Sequence, residues 1–202
     1  MGLHMPAEPR DFEPIPAGTQ LAICFRIIEL GSQKKQYAGD SWVASEIMIS
    51  WEVPEHKMDD GRPMMISKTY TLSSSKKSNL RKDLESWRAK TFASEELANF
   101  DLTKLLGKPC LLTIQHVEKE GNVYANIANV APPVKGMTIP PVHNAPYHLG
   151  FANGSWNQGA FDGLSDKMKA KIQASPEYQA MKSGTTYTPS PTRAMLDDEI
   201  PF

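Results

Sequence analysis

Residues 64–87, MMISKTYTLSSSKKSNLRKDLESW, change period halfway along. Up to Leu72, the residues Ile66, Lys68, Tyr70 and Leu72 alternate with Ser67, Thr69 and Thr71, the period of two that marks a strand. Ser73, Ser74 and Ser75 then offer N-cap hydroxyls, and Leu80, Leu84 and Trp87 recur at i, i+4 and i+7, which is one face of a helix. A strand therefore hands over directly to a helix here.

Upstream, residues 19–28 predict a long strand in which Leu21, Ile23, Phe25 and Ile27 alternate with Ala22, Cys24, Arg26 and Ile28. Residues 31–41, GSQKKQYAGDS, are expected to form a loop. Residues 42–53 predict a second strand, with Val43, Ser45, Ile47, Ile49 and Trp51 on one face. Trp42, Ala44, Glu46, Met48 and Ser50 take the other. A polar loop around Asp60-Gly61 leads to the third strand at residues 64–72. Downstream of the helix, Ser94 to Glu96 starts a short turn, and Asp101 caps another that Gly107 closes. Residues 109–117 and 122–130 then alternate as two strands joined by the tight turn Glu118-Lys119-Glu120-Gly121.

Three strands, a helix and two strands are what a five-stranded Greek-key barrel of the OB type requires, its helix inserted between strands three and four. The expected fold class is thus mainly β, with the face of strands two and three left to a ligand. A β-sandwich or a split α+β sheet satisfies the same pattern.

The chain has 202 residues and is 40% hydrophobic, enough for one domain with appendages. We expect an extended N-terminal arm at 1–18, of which 1–4 read as a cloning remnant, and the barrel at 19–131. A Pro/Gly-rich linker follows at 132–162, then a short amphipathic helix region at 163–183 carried by Leu164, Met168 and Ile172, and an acidic disordered tail at 184–202. The net charge of -1 gives no global basic signature. However, Arg62, Lys68, Lys76, Lys77, Arg81, Lys82, Arg88 and Lys90 face only Asp83 and Glu85 within their stretch, a local excess able to track a phosphate backbone. Cys24 and Cys110 sit in apolar runs and read as small buried hydrophobes. No signal peptide or long apolar run is present, so a cytoplasmic protein without membrane contact is expected.

An OB barrel holds single strands with a positive groove and aromatic faces for base stacking. The candidates are Lys34, Lys35 and Tyr37 in the first loop, Trp42 on strand two, Lys68 and Tyr70 on strand three, Lys76 and Lys77 at the start of the helix, and Tyr124 on strand five. Trp51 shares its face with Ile47 and Ile49 and reads as core, as does Trp87. Tyr70 shares a face with Ile66 and Leu72, so core packing competes with stacking there, and Lys76 and Lys77 also fit a solvated face. No phosphate-binding glycine loop, nucleophile elbow or paired-histidine zinc motif occurs, and no cofactor, metal site or catalytic residue is expected.

The chain closes on Asp197-Asp198-Glu199-Ile200-Pro201-Phe202. Ile200 and Phe202 gain nothing for a core at the end of a Pro/Ser/Thr-rich arm, whereas a partner's pocket can bury the ring while the acids steer it to a basic rim. This tip resembles that of bacterial single-stranded DNA-binding proteins, which end in an acidic run, an apolar residue, proline and phenylalanine and recruit replication and repair enzymes with it. Barrel pattern, linker and tip together resemble a phage-encoded protein of that kind. The resemblance implies a non-enzymatic protein of the host cytoplasm that coats single-stranded DNA during replication and recombination. It also implies replication, recombination and repair proteins as partners of the tail, while homo-oligomer formation stays open. The alternatives are a replisome adaptor whose barrel does not grip DNA, and a nuclease with a dispersed site.

Overall fold

A computed structural model describes residues 13–37, 39–152 and 154–187. The acidic tip at 197–202 and the N-terminal residues 1–12 lie outside the described residues. The chain runs β1 (Gly18–Tyr37), β2 (Asp40–Lys57), β3 (Pro63–Thr71), α1 (Asn79–Trp87), α2 (Ser94–Ala98), a 3-10 turn (Leu102–Leu105), β4 (Pro109–Lys119) and β5 (Asn122–Ala131). It continues through β6 (Tyr147–Leu149), α3 (Gln158–Asp162), α4 (Asp166–Gln173) and α5 (Pro176–Ser183). The protein is mainly β, as its alternation predicts, with a sheet of order β3-β2-β1-β4-β5 and β6 added beside β1. The first five strands pair antiparallel and β6 pairs parallel. Among the described residues no hydrogen-bonded pairing joins β3 to β5, so the sheet is not closed into a barrel.

From Leu21 to Leu30 both faces of β1 are largely apolar and both are covered. Its first part pairs with β4 and its later part with β6, while register shifts between Cys24 and Arg26 and between Glu29 and Gly31 bend it against β2. One face of β1–β5 holds a core of Cys24, Ile27, Ile49, Trp51, Leu112 and Ile114, closed by Leu80, Leu84 and Trp87 of α1. Trp51 and Trp87 meet at 6.0 Å between ring centres, and the Trp87 indole N–H donates to the Pro109 carbonyl at 2.9 Å. The sequence placed both tryptophans here. Helix α1 begins at Asn79 rather than straight after the three serines: Ser73 and Ser75 instead accept backbone N–H groups in the preceding turn.

Two expectations give way to more order. The loop at 31–41 is a continuation of β1 and β2, a ribbon whose last pair is Tyr37 with Asp40, since polar residues on a two-stranded ribbon alternate as well as apolar ones. The stretch read as a linker, 132–162, carries β6 and α3, and it leads into α4 and α5 to form a second core on the opposite face of β1 and β2. Ile28, Leu30 and Met48 supply the sheet side, and Leu149, Phe161, Leu164, Ile172 and Tyr178 the other. The helix region expected at 163–183 holds two helices: Ser175 ends α4, its hydroxyl donating to the Ile172 carbonyl at 2.7 Å, and caps α5 by accepting the Tyr178 N–H at 3.3 Å.

Candidate nucleic-acid interface

The alternation of β2 sets the geometry. Trp42, Ala44, Glu46, Met48, Ser50 and Glu52 form one row, and in the structure this row faces away from the α1 core. Strands two and three were expected to leave this face open. The β2 half is closed: Ala44, Glu46, Met48, Ser50 and Glu52 are all buried. Met48 is buried by apolar side chains of the C-terminal cap, residues 147–183, and the Glu52 carboxylate accepts the His143 and Asn144 N–H groups at 2.7 and 2.9 Å. Met65, Ser67 and Thr69 of β3 stay exposed on the same side, opposite Glu52, Ser50 and Met48.

The structure splits the candidate residues three ways. On the β1–β2 ribbon, Lys34 is exposed opposite Val43, and Lys35 lies opposite the half-buried Trp42. The Lys35 ammonium is not idle: it forms an ion pair with Glu46. Tyr37 pairs through its backbone with Asp40. Tyr124 stands 51% exposed on β5 opposite Val117, itself 46% exposed. That hairpin runs on past Gly18, whose partner is Ile114, so it projects from the end of β1 opposite the ribbon.

Lys68 and Tyr70 lie on the core side, away from Trp42. Tyr70 is buried and its hydroxyl donates to Asp83 Oδ2 at 2.8 Å, the same oxygen that Lys68 Nζ reaches at 2.8 Å. Burial, and then the Asp83 charge, push the phenol well above its ordinary range. Tyr70 is therefore a packed, hydrogen-bonded core residue and not an open stacking face. Its alternation with Ile66 and Leu72 already contained that outcome.

Lys76 and Lys77 are exposed in the turn before α1. Farther along, Arg81 is committed to Glu85 at 2.9 Å and to the Ser74 carbonyl at 3.1 Å, and Arg88 to Glu96. Much of the local basic excess thus holds the helical segment together. Burial pushes the Cys24 thiol up to about 12 and Cys110 well above its ordinary value, which makes both inert hydrophobes.

Reading single residues missed the exposed apolar members of the two hairpins, Val43, Val117 and Val123. Their signal was a strand alternation that continues beyond the last residue the core can cover. Among the described residues no group of three His, Cys, Asp or Glu side chains could hold a metal ion, and no helix is long and apolar enough to cross a membrane. Comparison with protein-family models and with curated protein sequences finds no match for this chain.

Proposed function

We propose that this chain is a single-stranded DNA-binding protein of the phage type, built on an OB-type barrel and acting without catalysis in replication and recombination. The observation that carries the proposal is the strand order β3-β2-β1-β4-β5 with α1 between β3 and β4, which leaves two long hairpins standing clear of the core at opposite ends of β1. Cα atoms of β3 and β5 come within 8 Å of each other, which supports the near-closed barrel that this order suggests. In OB barrels the strand-two and strand-three face and the hairpins joining strands one to two and four to five hold the oligonucleotide. Here Lys34, Lys35 and Trp42 sit on the first hairpin and Tyr124 on the second, and the exposed face of β3 lies at the edge of the sheet beside β2. Lysines would contact phosphates and the rings would stack bases, each stack worth about 1–3 kcal/mol.

The tip Asp197-Asp198-Glu199-Ile200-Pro201-Phe202 would recruit replication, recombination or repair proteins in the host cytoplasm. The covered β2 row favours one other reading, an adaptor that docks proteins and not DNA. Titrating labelled oligo-dT against duplex DNA separates the two. Tight, salt-sensitive binding to the single strand that weakens in Trp42→Ala and Tyr124→Ala supports the proposal. No binding by the intact chain at low salt would overturn it. Removing residues 197–202 should leave oligonucleotide affinity intact or tighter, because an anionic competitor is gone.

A further inference from the structure

Glu46, whose side chain is 2% exposed, holds two lysines at once: Lys35 from β1 and Lys171 from α4, the latter at 2.6 Å. One carboxylate faces two ammonium groups, so the cluster carries a surplus positive charge, and both lysine side chains keep about a third of their surface open. The backbone fixes the arrangement, because Gln33 Nε2 donates to the Lys171 carbonyl at 3.1 Å and ties the end of α4 to β1. Trp42 stands opposite Lys35 across the ribbon. Lys167, one turn before Lys171 on the same side of α4, is exposed.

We propose that α4 forms one wall of the nucleic-acid groove, with Lys171 and Lys167 continuing the phosphate track that begins at Lys35 beside Trp42. This rests on the single-strand reading above and extends it to the C-terminal cap. A phosphodiester supplies the negative charge that the Lys35–Glu46–Lys171 cluster lacks. The shared carboxylate holds the two ammonium groups in place before the strand arrives, which spares the side-chain ordering that free surface lysines require. Glu46 is a positioning residue that also competes with phosphate for both lysines.

The test is oligo-dT titration of the full chain over a range of salt. Lys167→Gln and Lys171→Gln should each weaken binding about threefold or more and lower the logarithmic salt slope by about 0.7. Lys171→Arg should restore both. Glu46→Gln should tighten binding, because its one remaining neutral acceptor competes with phosphate for the lysines far less than the carboxylate does. Hydrogen exchange in α4 and α5 reports cap docking, and Lys167→Gln makes no contact with Glu46, so its result stands even if Lys171→Gln loosens the cap. If Trp42→Ala weakens binding while Lys167→Gln and Lys171→Gln leave affinity and slope unchanged, the wall is not there and the parent reading survives. Weaker binding by Glu46→Gln would likewise overturn the proposal. An intact chain that fails to bind would remove both.

Discussion

Glu52 on β2 and Asn144, 92 residues later, are joined twice: the Asn144 backbone N–H and its side-chain amide both donate to Glu52 Oε2, at 2.9 and 2.7 Å. The other carboxylate oxygen accepts the His143 N–H at 2.7 Å. Glu52 is fully buried, so these donors replace the water its charge has lost. Glu52→Ala would strand the donors with no acceptor, at a cost of about 2–3 kcal/mol, whereas Glu52→Gln keeps a single acceptor and should cost less. Denaturant midpoints rank the two variants, and faster exchange of the Asn144 amide in Glu52→Ala would locate the damage. Equal midpoints for wild type and Glu52→Ala would show that the clamp contributes nothing.

That clamp also shows where sequence reading stops. The five long strands and α1 followed from periods of two and 3.6, because each buries a continuous row of side chains. The cap has no such row. β6 is three residues long, and Phe151, Trp156, Phe161 and Tyr178 meet as a cluster of rings with centres 5.0–6.1 Å apart, brought together from irregular spacings. Their order comes from what they pack against, Ile28, Leu30 and Met48, and no local pattern announces it. The candidate site divides in the same way. Lys34 was readable as a loop residue and Tyr124 as a strand residue open to a ligand, but Asp83 beneath Tyr70 and Glu46 beneath Lys35 are partners set by tertiary folding.

Gly31 occupies the second irregularity of β1 with φ of +73°, a conformation that side chains with a Cβ adopt only under strain. A Cβ added there would lie 2.5 Å from Ser175 Cβ and 2.9 Å from Glu177 Oε2. Glu177 accepts the Ser32 N–H at 2.9 Å and its hydroxyl at 2.6 Å, so the clash falls on the contact that fastens α5 to the sheet. Gly31→Ala should destabilise the protein by about 2–4 kcal/mol and open the cap first. Limited trypsin digestion is expected to cut at Lys167, Lys169 and Lys171 before any site in β1–β5. A digestion pattern like that of wild type would show that the cap tolerates the added carbon.

Tyr70→Phe tests whether this phenol belongs to the core or to the interface. The variant loses one hydrogen bond to a carboxylate while Lys68 continues to pair with Asp83, and stability should drop by about 1.5–3 kcal/mol. Oligonucleotide affinity should not change, since the ring lies in the core and not on the side that carries Trp42. Weaker binding by a folded Tyr70→Phe protein would return Tyr70 to the interface.

Alkaline pH acts on the same buried groups, with a sign that can be worked out. Cys24 is pushed from its ordinary value of 9.0 up to about 12, and Cys110 and Tyr70 are raised as well, all chiefly by burial. Each group stays protonated in the folded chain at a pH where the unfolded chain has already released its proton. The unfolded state then binds fewer protons, and stability falls as pH rises. The contribution is complete below pH 9.0 and is lost between there and about 12 for Cys24, with a slope of about 1.4 kcal/mol per pH unit for each group within its window. Tyr70 adds to the slope only above its ordinary value of 10.0. Denaturant midpoints under reducing conditions should therefore decline from pH 9 upward and more steeply above 10. Cys24→Ala, whatever it costs at neutral pH, should decline less steeply than wild type over the first of those units. A parallel decline in both proteins would mean that Cys24 ionises as easily in the fold as out of it, and that the face of the sheet beneath α1 admits water.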